Sequence, residues 1–165
     1  MSAKTAFEYH LNHWSDIQDH LSVLYKTAKG NCMEIGVRTG VSTSAILSGI
    51  EDSGGHLWSV DLNDCYVFQG HPQWTFIQAD SIKDVEQIKK AIPEFLDLLF
   101  VDGDHTYEGC LADLRNYGPR AAQVFIHDTD APDYPGVRKA VLTYCAESKR
   151  IGRFVGKSYG IGIVN

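Results

Sequence analysis

Met33-Glu34-Ile35-Gly36-Val37-Arg38-Thr39-Gly40-Val41-Ser42-Thr43-Ser44 reads as the end of a strand, a glycine turn and the start of a helix. Gly36 and Gly40 let the backbone turn tightly and approach a ligand with no side chain in the way. Ser42, Thr43 and Ser44 are residue types that open helices. Such a turn suits a nucleotide-like ligand, and it also occurs as plain structure in many α/β proteins. A dinucleotide fingerprint reads Gly-x-Gly-x-x-Gly. Here Arg38 stands where the second glycine would be and the glycines are four apart, which disfavours a nicotinamide cofactor.

Downstream, a helix through Ile50 and a turn at Gly54-Gly55 lead to the apolar run Leu57 to Val60, which ends at Asp61. This is a βαβ unit, and an acid at the tip of its second strand suits a pair of ribose hydroxyls. Trp74 to Gln78 reads as a third strand ending at Asp80-Ser81, before a helix whose face is Ile82, Val85, Ile88 and Ile92. Asp80 or Ser81 serves equally as the cap of that helix. Leu96 to Val101 is apolar enough for a buried parallel strand. It runs straight into Asp102-Gly103-Asp104-His105, three titratable side chains at the end of a central strand, where open α/β sheets bind ligands. Tyr107 to Tyr117 has helical spacing, and Ala121 to Ile126 is a fifth strand ending in His127-Asp128-Thr129-Asp130. A helix from about Gly136 to Ser148 and a hairpin, Arg153 to Val155 with Tyr159 to Val164, close the chain.

Upstream, Phe7, Leu11, Trp14, Ile17, Leu21, Leu24, Tyr25 and Ala28 recur every three or four residues, which predicts one amphipathic helix over residues 1–30. His10, His13 and His20 lie along it, with no carboxylate at ligand spacing, and read as solvated. The 165 residues suit one domain, a helix over 1–30 and an α/β core over 31–165. A net charge of -6 offers no footprint for nucleic acid. Cys32, Cys65, Cys110 and Cys145 form no close pair, the first residues lack a leader pattern, and no apolar run reaches the roughly 18 residues of a membrane helix. These features predict a soluble, cytoplasmic protein with reduced thiols.

The glycine turn resembles motif I of class I S-adenosylmethionine (SAM) methyltransferases, and in particular the catechol and caffeoyl-CoA O-methyltransferases with their Glu-x-Gly-x-x-x-Gly-x-Ser pattern. Val101 to Tyr107 and Tyr134 to Arg138 resemble stretches of small bacterial and phage members that include macrolide-sugar O-methyltransferases and the cephalosporin-hydroxylase-like group. The resemblance runs from Asn31 to the C-terminus. It implies a Rossmann-like α/β fold, a mostly parallel seven-stranded sheet with helices on both faces and a C-terminal antiparallel hairpin. It further implies that Glu34, Gly36 and Gly40 frame the methionine part of SAM, with Ser42 near its carboxylate. Asp61 then binds ribose, Asp80 and Ser81 bind adenine, and Asp102 sits beside the sulfonium.

Metal-dependent members hold a divalent cation such as Mg2+ with an acid after strand 4 and an Asp-Asn pair after strand 5. The matching positions are Asp102 and Asp128-Thr129, with Thr129 departing from asparagine and His127 as a substitute donor. The catalytic lysine of those enzymes aligns with His105, which makes His105 the expected general base. The expected partner is a small-molecule methyl acceptor in a pocket that is open or completed by a second copy of the chain. Trp14, Tyr66, Phe68 and Tyr134 are candidates for lining it. A SAM-binding protein without catalysis, a nicotinamide oxidoreductase and a purely structural domain remain as alternatives.

Overall fold

The apolar runs on either side of the glycine turn become the centre of one sheet. In the computed structural model, which describes residues 1–165, the strands are β1 (Gly30–Ile35), β2 (Gly55–Asp61), β3 (Trp74–Gln78), β4 (Leu96–Val101), β5 (Ala121–His127), β6 (Gly152–Val155) and β7 (Ile161–Val164). Their order is β3-β2-β1-β4-β5-β7-β6. β1 to β5 are mutually parallel, and β7 runs antiparallel to both β5 and β6. The expected seven-stranded architecture is therefore present. The order reverses between β1 and β4, so a crevice opens at their carboxyl ends.

Strand periodicity divides the core in two. On β4, Leu99 and Val101 face a cluster formed by α4 (Val85–Ala91), α5 (Tyr107–Tyr117) and α6 (Pro135–Ser148). Leu98 and Phe100 face the other cluster, with α1 (Ala3–Leu11), α2 (Leu21–Thr27) and α3 (Val41–Ser53). A strand buried on both faces needs a continuous apolar run, as Leu98 to Val101 provides.

The expected single N-terminal helix is instead broken. Asn12 Nδ2 donates to the Glu8 carbonyl at 2.9 Å, and a ring nitrogen of His13 donates to the Tyr9 carbonyl at 2.8 Å. These side chains satisfy the last carbonyls of α1 and end it. A short 3-10 turn at Gln18–His20 then leads into α2. The break leaves Trp14 83% exposed, while Ile17, Leu21 and Leu24 stay buried. His20 is a second correction, since it is buried rather than solvated. A third is Ile82, which lies in the turn before α4 and is exposed. All four cysteines are free thiols, and no helix is long and apolar enough to cross a membrane.

Phe100 is fully buried one residue before the last of β4. Phe100→Ala is expected to cost about 3–5 kcal/mol, read as a melting temperature roughly 6–20 °C lower.

Candidate functional site

The turn after β1 is held from below and from the side. Glu34, at 0% exposure, accepts hydrogen bonds from Ser42 Oγ (2.6 Å), Thr43 Oγ1 (2.8 Å) and Ser59 Oγ (2.8 Å). Trp74 Nε1 extends the chain by donating to Ser59 Oγ at 2.9 Å. Burial pushes the Glu34 carboxyl up to about 7 against the pull of the three hydroxyls. Glu34 thus grips the start of α3 from beneath the turn and lines neither of the two cavities described below. Ser42 likewise spends its hydroxyl proton on Glu34.

From the side, Asp61 Oδ2 accepts the amides of Val37 (2.8 Å) and Arg38 (3.1 Å), and Oδ1 accepts the amide of Asn63 (2.8 Å). Burial favours the neutral acid, but the Asn63, Arg38 and Val37 amides outweigh it and hold the pKa below the usual value. Gly36 (φ 93°) and Gly40 (φ 81°) both need the left-handed region. A Cβ on Gly36 would lie 2.1 Å from the Asp102 carbonyl oxygen, so this position admits no side chain.

At the end of β4, Asp104 Oδ1 accepts the Thr106 amide (2.8 Å), and Thr106 caps α5 by accepting the Gly109 amide (3.0 Å). That leaves Asp102 and His105 facing outward. His105 Nε2 is 2.9 Å from Asp128 Oδ2 and 3.3 Å from Asp102 Oδ1. Its ring stacks on Tyr134 at 4.5 Å. The Asp102 and Asp128 carboxylates raise the His105 pKa to about 10, so the imidazole is charged at neutral pH. It is therefore not, in this state, the near-neutral base expected from its residue type.

Asp102, His105 and Asp128 each offer a ligand atom within 4.8 Å of the others. The other two metal candidates, His127 and Thr129, have other partners or packing. His127 Nε2 donates to the Ser158 carbonyl (3.1 Å), and its Nδ1 faces Asp102 (3.3 Å) and Asp128 (3.4 Å). Both nitrogens are committed, so His127 orients the acids from behind. Thr129 is buried, with its methyl toward Gly162.

Asp80 and Ser81 lie at the tip of β3. The Asp80 carboxylate accepts the amides of Ile82 (2.9 Å) and Lys83 (3.1 Å) and the Lys83 ammonium (2.7 Å). The ammonium, then these amides, hold it down to about 2. Asp80 and Ser81 line a cavity of about 620 Å³ together with Asp61, Gly36 and Asp102. A second cavity, about 300 Å³, has Thr39, Val41 and Ser42 on one side and Asp128, Trp14, Tyr134 and Tyr159 on the other. The two share Gly36, Arg38, Asp102 and His105. Tyr66 and Phe68 line neither.

A family model described as a methyltransferase domain matches residues 33–129. The chain belongs to the methyltransferase-domain family. Solved structures of class I, SAM-dependent methyltransferases share its fold. An apo structure of CalS11, a TDP-rhamnose 3'-O-methyltransferase of calicheamicin biosynthesis, is 16% identical with a TM-score of 0.66, over 89% of this chain and 76% of that one. PaMTH1 of Podospora anserina, bound to S-adenosylhomocysteine, is 12% identical with a TM-score of 0.68, over 99% and 86%. MycE of the mycinamycin pathway, in complex with Mg, S-adenosylhomocysteine and mycinamycin VI, is 15% identical with a TM-score of 0.69. This methyltransferase chain is covered entirely, but only 54% of MycE is. No curated protein matches the chain by sequence.

Two residues that the sequence did not single out as site candidates, Arg38 and Tyr159, line the smaller cavity. Arg38 reaches Asp16 at 3.5 Å across the mouth of the smaller cavity. Tyr159 sits in a turn where Ser158 (φ 41°), Tyr159 (φ 65°) and Gly160 (φ 80°) are all left-handed, a conformation that costs of order 1–3 kcal/mol per non-glycine residue. The turn is held by His20 Nε2, which donates to the Lys157 carbonyl (2.7 Å), by His127, and by Ser158 Oγ donating to Asp19 (2.8 Å). Positive φ has no signature in a Lys-Ser-Tyr-Gly stretch beyond the glycine. The Tyr134 to Arg138 stretch builds the start of α6, where Arg138 pairs with Asp130 and lies 4.0 Å over the Phe154 ring.

Glu34 binds a proton in the folded state between its unfolded value, 4.5, and about 7. Its contribution to stability is therefore full below that window and declines as pH rises through it. Glu34→Gln removes this titration. Urea unfolding at pH 5 and pH 7 is expected to show the stability difference between variant and parent moving in favour of the variant at pH 7.

Proposed function

We propose that this methyltransferase moves the methyl group of SAM to a hydroxyl of a small acceptor. The observation that carries the reading is the ridge of Gly36, Asp102 and His105 shared by the two cavities. In-line displacement at a sulfonium methyl needs a donor on one side and an acceptor on the other, aligned and desolvated. The larger cavity suits adenosine, with ribose at Asp61 and adenine at Asp80 and Ser81. The methionine tail passes Gly36 and Gly40 toward the first-turn amides of α3, which favour its carboxylate. Asp102 lies where the sulfonium sits. The acceptor packs against Trp14, Tyr134 and Tyr159.

Two carboxylates with ligand atoms within 4.8 Å of one another, beside an imidazole, fit a divalent cation. Asp102 and Asp128 would hold it, leaving the His105 lone pair free, and there it would lower the pKa of an acceptor hydroxyl and, by its charge beside the imidazole, favour loss of the His105 proton. His105, freed of that proton, is the group that takes the proton of the acceptor. Asp128 orients it, and Tyr134 keeps the ring in plane. The acceptor is a small molecule because the smaller cavity has only Arg38 as a permanent cation, already paired with Asp16, and so offers nothing to a polyanion. The charged state of His105 favours one competing reading, a SAM-binding protein that does not turn over.

Calorimetry with S-adenosylhomocysteine, followed by transfer assays on hydroxylated acceptors with Mg2+ or EDTA, separates the two. His105→Ala is expected to lower turnover by about 10²–10⁴-fold, the usual worth of a general base, while S-adenosylhomocysteine binds within about threefold of the parent. Unchanged turnover in this variant rejects the base assignment, and binding without transfer to any acceptor favours the noncatalytic reading.

A further inference from the structure

Asp113 faces inward on α5 at 0% exposure, and no protein group hydrogen-bonds to either carboxyl oxygen. An unpaired acid is a poor choice for a helix face packed on a sheet, where an apolar side chain of similar size would serve stability better. A buried polar group without a partner calls for a reason beyond packing. Burial pushes its carboxyl up to about 7.

Its surroundings point to the larger cavity. Asp113 Oδ2 lies 3.7 Å from where a Cβ on Gly103 would stand. The Ser81 hydroxyl is close enough to favour the charged acid, yet does not complete a hydrogen bond of ordinary geometry. Gly103 and Ser81 both line that cavity. Four residues along the same helical face, the buried Tyr117 donates its hydroxyl to the Ser81 carbonyl at 2.7 Å. α5 therefore addresses Ser81 at two points, side chain and carbonyl.

The amides around Ser81 sharpen this. The Asp80 amide donates to Asp84 (2.9 Å), and those of Ile82 and Lys83 donate to Asp80. Only the Ser81 N–H among these four donates to no protein group.

We infer that Asp113 is a positioning residue for the adenine subsite. When the base docks, Asp113 takes up the Ser81 hydroxyl and, with Tyr117, fixes the Ser81 peptide so that its free N–H meets an unprotonated ring nitrogen. The inference rests on the adenosine reading of the larger cavity proposed above. A donor at this place discriminates: adenine N1 accepts a hydrogen bond, whereas N1 of hypoxanthine carries a hydrogen.

The test is calorimetric titration of S-adenosylhomocysteine and S-inosylhomocysteine into the parent, Asp113→Asn and Asp113→Leu, beside melting temperatures. Asp113→Leu is expected to melt at or above the parent while binding S-adenosylhomocysteine about tenfold more weakly and losing at least threefold of the preference for adenine. Asp113→Asn keeps a hydrogen-bonding group of the same shape and should retain most of both. A merely structural role changes the melting temperature and leaves the preference intact, and that result overturns the inference. Should the leucine variant not fold, Ser81→Ala removes the hydroxyl without touching the core. An unchanged preference in Ser81→Ala overturns the inference equally. Failure of the parent to bind S-adenosylhomocysteine removes the cofactor reading, and this one with it.

Discussion

The ends of β1 and β4 pass so close at Gly36 that a methyl group there would lie 2.1 Å from the Asp102 carbonyl oxygen. A backbone contact seals the approach, as Asp102 N donates to the Ile35 carbonyl (2.8 Å), and Gly36 N ties the same end of β1 to β2 by donating to the Val60 carbonyl (2.9 Å). Because the strands cannot separate there, the chain after each must leave sideways, one toward α3 and the other toward α5. The crevice between them becomes two cavities with a common ridge. Any side chain at position 36 would pry that ridge apart, so the glycine serves the geometry of both cavities.

The charges on the ridge are arranged before any ligand arrives. Asp102 and Asp128 face His105 on the cavity side and His127 from within, two acids and two imidazoles. Burial alone would favour neutral His127, but the hydrogen bond and charge of Asp102, with help from Asp128, raise it to about 9. His127 also donates to the Ser158 carbonyl, so the same ring that steadies the acids steadies the turn bearing Tyr159. Preorganised dipoles and charges of this kind need no rearrangement at the moment of reaction.

Much of this was legible in the sequence where chemistry is carried by neighbouring residues. An apolar strand leading into Asp102-Gly103-Asp104-His105 announces both its burial and its exit into a site, and the glycine turn announces the helix that follows. What stayed hidden depends on residues far apart in the chain. Helical spacing continues through His13, Trp14 and Ser15, and it is hydrogen bonds from Asn12, His13 and the distant Gln18 to the last carbonyls that end α1. Whether an acid faces ligand or backbone is equally hidden. Glu34 points under the turn because Ser42, Thr43 and Ser59 meet there, and Ser59 belongs to another strand. His20 reads as a surface residue until the Lys157 carbonyl, 137 positions away, gives its ring a buried partner.

The two cavities also differ in where their residues come from. Gly36, Asp61, Asp80, Ser81 and Asp102 sit at successive strand tips inside the segment 33–129 that the family model matches. Trp14 and Asp16 precede that segment, and Tyr134 and Tyr159 follow it. These flanking pieces are bound to each other, through His20 to Lys157 and Asp19 to Ser158, as well as to the sheet, through His127 to Ser158. A domain built this way keeps the wall of the larger cavity in its strand tips, while residues outside the matched segment set much of the wall of the smaller one. The smaller cavity is thus walled by a tertiary joint that links the segment before α2 to the turn before β7, and Gly36, Arg38, Asp102 and His105 are the residues that both cavities share.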